Sequence, residues 1–401
     1  MKRPAARLHW TEDNEVALLE NGLALFPALF EAIGQAADSV HLETYIFRLD
    51  DVGQALLGCL ERACARGVKV RVAIDGYGSA GTARALQARL AAMGAQCRIY
   101  RPEPRRAAWL VPNRRRLRRL HRKTAVIDGE LAFIGGINVI DDYADESDAR
   151  RMDAPRFDYA VRVRGPVVSE LAHAQALLWV RMNPPGRRPA GWRWLQRLRP
   201  PAPPAVPAGR TRAALALRDN LRNRKTIEAA YLHAIGQARR EIVIANAYFL
   251  PGRSFRKALR QAVLRGVRVR LLLQGMVEYR MQYHATRALY DELLRHGMEV
   301  YEYMPSYLHA KVAVVDDWAT VGSSNLDPFS LLLAREANLM VRDAGFASQL
   351  RASLERAIDT GGRRVLAHDY GRRGWLHRLA DAVSHVLLRI AVALTGKGGE
   401  Y

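Results

Sequence analysis

The chain has 401 residues, of which 49% are hydrophobic and 25% charged, as expected for a globular protein with more than one core. Its formal net charge of +22 favours polyanionic partners, either nucleic acid or an anionic membrane face. Three cysteines, Cys59, Cys64 and Cys97, argue against a disulfide scaffold and fit a reducing compartment. We find no signal peptide, no zinc spacing and no apolar run of about 18 residues, so neither a structural metal nor a spanning helix is expected.

Elements predicted in the first half of the chain recur in the second. Residues 32–36 and 234–238 share the sequence Ala-Ile-Gly-Gln-Ala, and a strand-like run follows each of them. Helical patterns then end at Gly67 and Gly266, where glycine is typical of a helix C-terminus, and a β-branched strand pattern follows. The repetition predicts a duplicated protein whose two halves are related by a pseudo-twofold axis.

Strands that alternate with helices of ten or more residues predict an α/β sandwich with a largely parallel sheet. The chain is accordingly divided into an N-terminal half, a Pro/Arg-rich linker, a C-terminal half and a basic amphipathic tail: residues 1–182, 183–210, 211–360 and 361–401.

The linker contains four large apolar residues, which either dock on the protein body or touch lipid: Trp192, Trp194, Leu195 and Leu198. A second basic run leads into the first motif described below, as a solvated face or as an entrance that attracts anions: Arg114, Arg115, Arg116, Arg118, Arg119, Arg122 and Lys123.

The tail repeats apolar residues at helical spacing: Trp375, Leu376, Leu379, Val383, Val386, Leu387, Ile390 and Leu394. Four arginines lie mostly off this stripe: Arg372, Arg373, Arg378 and Arg389. The pattern predicts an amphipathic helix that either lies in a membrane interface or packs on its own domain.

Two segments have the spacing His-x-Lys-x4-Asp followed by a small-residue turn that ends in Asn. The first copy contains His121, Lys123, Asp128, Gly136 and Asn138. The second copy contains His309, Lys311, Asp316, Ser323 and Asn325. Residues two apart on a strand share a face, so each His projects with its Lys. The first turn has six residues between Asp128 and Gly135, and the second has five between Asp316 and Gly322, so the second hairpin is expected to be tighter.

Two lysines, two asparagine amides and free backbone donors make an anion cradle, and a phosphate diester is its natural occupant. Two histidines fit a two-step displacement in which one attacks phosphorus and the other transfers protons. Asp158 and Glu336 are candidates for fixing the histidine tautomers, because each follows the His of its half in a strand-like context. Asp128 and Asp316 are counted with the motif histidines and lysines as catalytic residues, and they are interpreted as turn-formers or ion-pair partners that shape the site rather than as proton carriers. The chemistry requires neither a metal nor a cofactor.

At these motifs, over roughly residues 10 to 355, the chain resembles the phospholipase D superfamily and, within it, the bacterial cardiolipin synthases of the B type. The resemblance implies two α/β/α sandwich halves, with His121 as nucleophile and His309 as acid and base. It further implies that Lys123, Lys311, Asn138 and Asn325 bind phosphate. The implied reaction transfers a phosphatidyl group from one phosphatidylglycerol to another, giving cardiolipin and glycerol.

Three alternatives remain at this point: a hydrolytic phospholipase D, a nuclease and a non-catalytic scaffold on an anionic membrane. The motifs do not separate transfer from hydrolysis. Family nucleases resemble one half and dimerise, whereas this chain carries both halves. We therefore expect a phosphatidyltransferase that acts as a monomer on phosphatidylglycerol, not on nucleic acid, at the cytoplasmic face of a bacterial membrane.

Overall fold

The computed structural model describes residues 8–103, 118–144, 151–183, 207–219, 223–327, 334–371 and 373–392. Several predictions concern positions outside these ranges: most of the linker with its four apolar residues, Arg114 to Arg116 of the basic run, Arg372, and Leu394. Within the described ranges, no helix is both long enough and apolar enough to cross a bilayer.

Among the residues that the structure describes, the first half of the chain contributes seven strands and four helices. The strands are β1 (Trp10–Glu20), β2 (Ser39–Thr44), β3 (Lys69–Asp75), β4 (Gln96–Tyr100), β5 (Lys123–Ile127), β6 (Leu131–Gly135) and β7 (Tyr159–Arg164). The helices are α1 (Asn21–Gln35), α2 (Asp51–Ala65), α3 (Ala83–Ala92) and α4 (Val167–Met182).

The second half repeats this order and adds an edge strand and a helical tail. The strands are β8 (Thr211–Arg218), β9 (Glu241–Asn246), β10 (Arg268–Gln274), β11 (Glu299–Tyr303), β12 (Lys311–Val315), β13 (Trp318–Gly322), β14 (Glu336–Arg342) and β15 (Gly362–Val365). The helices are α5 (Thr226–Gln237), α6 (Arg253–Leu264), α7 (Arg280–Arg287), α8 (Tyr290–Arg295), α9 (Ala344–Gly361), α10 (Ala367–Gly371) and α11 (Trp375–Val392).

The fifteen strands of the described ranges form one sheet, in the order β15-β11-β10-β9-β12-β13-β14-β8-β1-β7-β6-β5-β2-β3-β4. Read outward from the central β8–β1 pair, the two sides have the same order, apart from the extra edge strand β15. This arrangement confirms the predicted duplication about a pseudo-twofold axis, which passes between β1 and β8.

The prediction of a largely parallel sheet was wrong. Parallel pairing is confined to β2–β3–β4 and β9–β10–β11, where helices connect successive strands. The other pairs are antiparallel, because two motif hairpins and the returning strands β7 and β14 enter the sheet beside them. A connection of two or three residues permits only antiparallel neighbours.

Helices cover both faces of the sheet. The helices α1 and α2 enclose one apolar core in the first half, and α5 and α6 enclose the corresponding core in the second. A third core lies under α4 and α9 and contains residues of both halves, among them Val161 and Leu171 of the first and Val312 and Leu350 of the second. Burial of this shared core therefore holds the two halves in a fixed relation.

The glycines that were predicted to end helices do so in both copies. Gly67 and Gly266 have φ angles of 88° and 87°, in the left-handed region that glycine adopts without a steric penalty. Each therefore turns the chain from a helix into the next parallel strand, β3 or β10. The three cysteines are unpaired.

Candidate active site

The two motifs meet because each is hydrogen-bonded to the opposite half. The backbone N–H of His121 donates to the carbonyl of Arg335 at 3.0 Å, and that of His309 donates to the carbonyl of Phe157 at 2.8 Å. Each histidine lies two residues before its strand, β5 or β12. The start of β5 pairs with the carboxyl end of β2, and the start of β12 pairs with the carboxyl end of β9. This pairing brings both histidines to one site.

Each histidine ring is bound by a carboxylate of the other half. His121 Nδ1 donates to Glu336 Oε2 at 3.0 Å, and His309 Nδ1 donates to Asp158 Oδ2 at 2.6 Å. Glu336 is fully buried and Asp158 is 2% exposed. The sequence had suggested these acids because each follows the histidine of its own half, whereas the structure exchanges the partners. Among the described residues, neither Nε2 atom has a hydrogen-bond partner, so both are left for a substrate.

The two motif lysines place buried positive charge beside the rings. Lys123 Nζ donates to the carbonyl of His121 at 2.9 Å, and Lys311 donates to the carbonyl of His309. Lys311 Nζ also lies 3.8 Å from Asp158 Oδ2. The exposed fractions of the two residues are 6% and 0%. Two desolvated ammonium groups favour an anionic ligand at this point.

The small-residue turns differ where they face the carboxylates. Ser323 Oγ donates to Glu336 Oε2 at 2.6 Å. At the matching Gly136, an added Cβ would lie 2.4 Å from Asp158 Oδ1, so no side chain fits. Glu336 therefore has a hydroxyl donor that Asp158 lacks.

The two asparagines lie behind these turns and are buried. Asn138 Oδ1 accepts from the backbone N–H of Ile46 at 3.2 Å. Asn325 is 4% exposed, and its Oδ1 has no hydrogen-bond partner among the described residues. An unpaired buried amide is costly unless a ligand or a water satisfies it.

The shorter second turn does not displace its asparagine. In the first hairpin Ile127 pairs with Leu131 across three turn residues, and in the second Val315 pairs with Trp318 across two. The register nevertheless pairs Gly135 with Lys123 in the first hairpin. In the second, Val321 pairs with Val312, so the next residue along, Gly322, comes opposite Lys311. The difference is therefore absorbed at the turn, away from the site.

Asp128 and Asp316 lie at the far ends of β5 and β12. Asp128 accepts from the backbone N–H groups of three residues, Ala37, Asp38 and Ser39, and Asp316 accepts from those of Arg239, Arg240 and Glu241. A strand rises by about 3.3 Å per residue, so seven residues separate each aspartate from its histidine by about 20 Å. This position supports their interpretation as shaping residues and excludes direct contact with a substrate at the histidines.

Side chains outside the motifs complete the site, and sequence reasoning missed them. The ring of Tyr45 lies edge-on to His121 with a centroid distance of 4.9 Å, and Lys123 Nζ lies 5.3 Å from its centroid. On the side of His309, Arg156 forms an ion pair with Glu278 at 3.2 Å, and Tyr248 donates to Glu278 at 2.8 Å. The signal available in the sequence was the position of Tyr45 and Tyr248, which follow the repeated strands β2 and β9.

The two histidine–carboxylate pairs differ in their electrostatics. Burial raises the pKa of Asp158 to about 6, and the charge of Lys311 offsets this only in part. Burial also favours the neutral form of Glu336, but the charge and hydrogen bond of His121, with smaller contributions from Lys123 and Ser323, hold its pKa below the usual value. Glu336 is therefore the more firmly ionised of the two acids.

Burial also acts on the basic groups of the site. It lowers the pKa of both histidines, and the charge of Lys311 adds to this effect at His309. Burial lowers the pKa of Lys311 to about 8. The imidazole of His309 is thus neutral before an anion binds. The part of the chain that the structure describes contains no group of three or more His, Cys, Asp or Glu side chains that could hold a metal ion.

Comparison of the chain with protein families gives one match that includes both motif-bearing segments. A family described as "Cardiolipin synthase, PLD-like domain" matches residues 29–148 and 231–358. The chain is 41% identical to cardiolipin synthase B of Salmonella typhi over 389 residues, which cover 96% of this chain and 91% of that protein. It is 34% identical to cardiolipin synthase A of Pseudomonas putida, over 95% of this chain and 76% of that protein.

Among solved structures, the fold is similar to that of phosphatidylserine synthase from Haemophilus influenzae. The TM-score is 0.69 at 14% sequence identity, and the match covers 96% of this chain and 94% of the other. At this identity the likeness concerns the fold, a sheet built from two matching halves.

Proposed function

This chain belongs to the family of phospholipase D-like cardiolipin synthases, and we propose that it joins two phosphatidylglycerol molecules through a phosphohistidine on His121. It is a phosphatidyltransferase. The observation that carries the proposed mechanism is the crossed pair of dyads, His121–Glu336 and His309–Asp158. Each dyad fixes a proton on Nδ1 and leaves Nε2 directed to the same buried, cationic site.

In the first step, Nε2 of His121 attacks the phosphorus of the donor lipid. The bond from phosphorus to the headgroup glycerol breaks, and Nε2 of His309 gives its proton to the departing oxygen. Lys123 and Lys311 neutralise charge on the non-bridging oxygens, with Asn138 and Asn325 and the backbone at Gly136 and Ser323 as further donors. Glycerol leaves and the phosphatidyl group remains on His121.

In the second step, the headgroup hydroxyl of another phosphatidylglycerol replaces the departed glycerol. His309 removes its proton, the new phosphorus–oxygen bond forms, and the bond from phosphorus to His121 breaks. Cardiolipin is released with both histidines restored to their starting states. Since the phosphorus is attacked twice, its configuration is retained.

The unequal carboxylates support this division of roles. Glu336 stays ionised, which stabilises the positive charge that His121 acquires as it attacks. Burial raises the pKa of Asp158 to about 6, so as a carboxylate it stabilises a protonated His309 less strongly than Glu336 stabilises His121, and His309 gives up its proton more readily, as an acid catalyst must. Burial, and after it the charge of Lys311, keeps His309 neutral in the empty site; an incoming phosphate anion offsets the lysine charge, so that Nε2 takes up from water the proton that it then gives to the departing oxygen.

The substrate and setting follow from the same proposal. The donor and the acceptor are both phosphatidylglycerol, an anionic lipid that suits a chain with a net charge of +22. The protein acts peripherally on the cytoplasmic face of a bacterial membrane, as a monomer, without a cofactor and without nucleic acid. Three unpaired cysteines agree with a reducing compartment.

Incubation of the purified protein with phosphatidylglycerol vesicles, followed by mass spectrometry of the lipids, tests the function. We expect equimolar cardiolipin and glycerol, and neither product with the His121→Ala variant. Phosphatidic acid as the sole lipid product would replace the synthase assignment with a hydrolase. Degraded plasmid DNA without lipid turnover would overturn both.

A further inference from the structure

The C-terminal helix α11 is attached to the protein by one side only. It packs on α7, where Asp381 accepts from His284 Nδ1 at 2.8 Å and from Arg373 at 2.5 Å. Asp381 is 4% exposed, so this polar contact is enclosed between the two helices. The contact fixes the rotation of α11 about its own axis.

The opposite side of α11 presents a stripe of large apolar side chains. Six of them are between 46% and 71% exposed: Trp375, Leu379, Val383, Val386, Leu387 and Ile390. Soluble monomers rarely expose a continuous row of this kind, which is characteristic of a surface that binds a membrane or another protein. The sequence predicted that this helix either packs on its own domain or lies in a membrane interface. In the structure α11 packs on α7 and still exposes its apolar stripe to solvent.

The helix leads toward the active site. Arg373 lies 3.4 Å from Asp291, and eight residues later Asp381 meets His284, so α11 runs antiparallel to α7. At about 1.5 Å per residue, the turns after Asp381 extend toward the beginning of α7 at Arg280.

The loop before α7 and the first residues of that helix, together called the loop 277–281, add a second exposed apolar group. Val277, Tyr279 and Met281 are 48%, 45% and 41% exposed. Between them, the Glu278 side chain is buried and paired with Arg156, beside the His309 dyad. The apolar stripe is thus joined through α7 and this loop to the side of the site that holds His309.

The charge on these two segments favours an anionic bilayer over a protein partner. Asp381 is the one acidic residue in 375–392, Glu278 is the one in 276–281, and the side chains of both are buried in ion pairs. The exposed part of either segment therefore carries no carboxylate that would be repelled by an anionic lipid surface. The sequence of α11 also supplies Arg378 and Arg389, in a chain of net charge +22.

We propose that α11 and the loop 277–281 form a membrane-docking surface whose apolar stripe enters the headgroup boundary of an anionic bilayer. Docking on this side brings the His309 side of the active site toward the lipid headgroups, so that a phosphate diester reaches the histidines while its acyl chains stay in the bilayer. The docking surface rests on the proposed function in one respect, which is the identity of the substrate lipid.

Vesicle flotation tests the docking surface separately from catalysis. Leu387→Gln and the double variant Leu379→Gln/Leu387→Gln are compared with Leu264→Gln, which changes a 70% exposed leucine at the end of α6, away from the site. We expect partitioning onto phosphatidylglycerol vesicles to fall about tenfold or more in the double variant and to stay unchanged in Leu264→Gln. Activity on short-chain phosphatidylglycerol below its micellar concentration should be retained by all three.

Each contrary result has a distinct meaning. Undiminished vesicle binding by the double variant, with an unchanged circular dichroism spectrum, overturns the proposal. A shift from dimer to monomer in light scattering, without any change in vesicle binding, assigns the stripe to a second copy of the chain and overturns it as well. His121→Ala should bind vesicles like the wild type, so a failure of the catalytic proposal leaves this test intact.

Discussion

Glu336 of the second half accepts a hydrogen bond from Nδ1 of His121 in the first half at 3.0 Å. The reciprocal bond joins His309 to Asp158 at 2.6 Å. Each half therefore contributes one histidine and one carboxylate to the site, but neither half contains a complete histidine–carboxylate pair of the site. Both pairs are complete only in the whole duplicated sheet.

The unequal roles of the dyads predict unequal responses to loss of a carboxylate. Glu336→Gln and Asp158→Asn should each lower kcat on phosphatidylglycerol by a factor on the order of 10² to 10⁴, because the ring loses its charged partner. A phosphatidyl ester of p-nitrophenol, whose leaving group needs no proton, should restore the first step in Asp158→Asn but not in Glu336→Gln. Equal rescue of both variants, read from p-nitrophenol release, would contradict the assigned roles.

Substitution at Gly136 tests the close packing against Asp158. In Gly136→Ala the new Cβ would lie 2.4 Å from Asp158 Oδ1, so the carboxylate must move and its bond to His309 is lost. We expect kcat to fall at least about 100-fold with little change in the melting temperature. Gly34→Ala is the matched control, since nothing lies within 4 Å of its added Cβ, and it should keep full activity.

The pH profile of kcat/KM should be bell-shaped. Asp158 acts as a carboxylate, and burial raises its pKa to about 6, so activity falls as the pH drops below that value. Lys311 acts as a cation, and burial lowers its pKa to about 8, so activity also falls as the pH rises above that value. Rates measured from pH 5 to pH 9.5 check both limbs.

Two variants identify the groups behind these limbs. Asp158→Asn should remove the acidic limb from its residual activity, and Lys311→Arg should move the alkaline limb upward, because a guanidinium stays charged. If the alkaline limb stays at the same pH in Lys311→Arg, a group other than Lys311 causes the loss of activity at high pH.

Asp128 and Asp316 should affect stability rather than chemistry. Asp128→Asn keeps a residue that tolerates the positive φ of 52° but weakens the bonds to three backbone N–H groups. We expect urea denaturation to show a loss of about 1–3 kcal/mol in the free energy of unfolding, with kcat unchanged in the folded fraction. Asp316→Asn, in the matching turn of the second half, should behave alike, and a large loss of kcat in either would indicate a catalytic role.

Much of the fold was accessible from the sequence because the duplication left local signals in both halves. Gly67 and Gly266 ended their helices as predicted, and the two motif hairpins formed. The parallel sheet was overpredicted since alternating patterns do not reveal that β7 and β14 return beside the hairpins as antiparallel strands. Strand order depends on long-range pairing, for which a single sequence gives no local cue.

The site was predictable where its residues lay in the repeated motifs and unpredictable where the halves exchange partners. The exchange follows from the backbone bonds of His121 to Arg335 and of His309 to Phe157, which form only when the halves assemble. Tyr45 and the Arg156–Glu278 pair were missed because they lie outside the motifs and differ between the copies. The difference between Gly136 and Ser323 is visible in the sequence, but its consequence, a hydroxyl donor to Glu336, depends on the assembled halves.

The central claim, that His121 carries the phosphatidyl group, is tested most directly by locating the covalent intermediate. His309→Ala is mixed with the p-nitrophenyl ester, quenched with base within one turnover, and digested for peptide mass spectrometry. We expect a burst of one p-nitrophenol per active site and a phosphatidyl adduct on the peptide that contains His121, with no burst in His121→Ala. A burst retained in His121→Ala, with the adduct on His309, would contradict it.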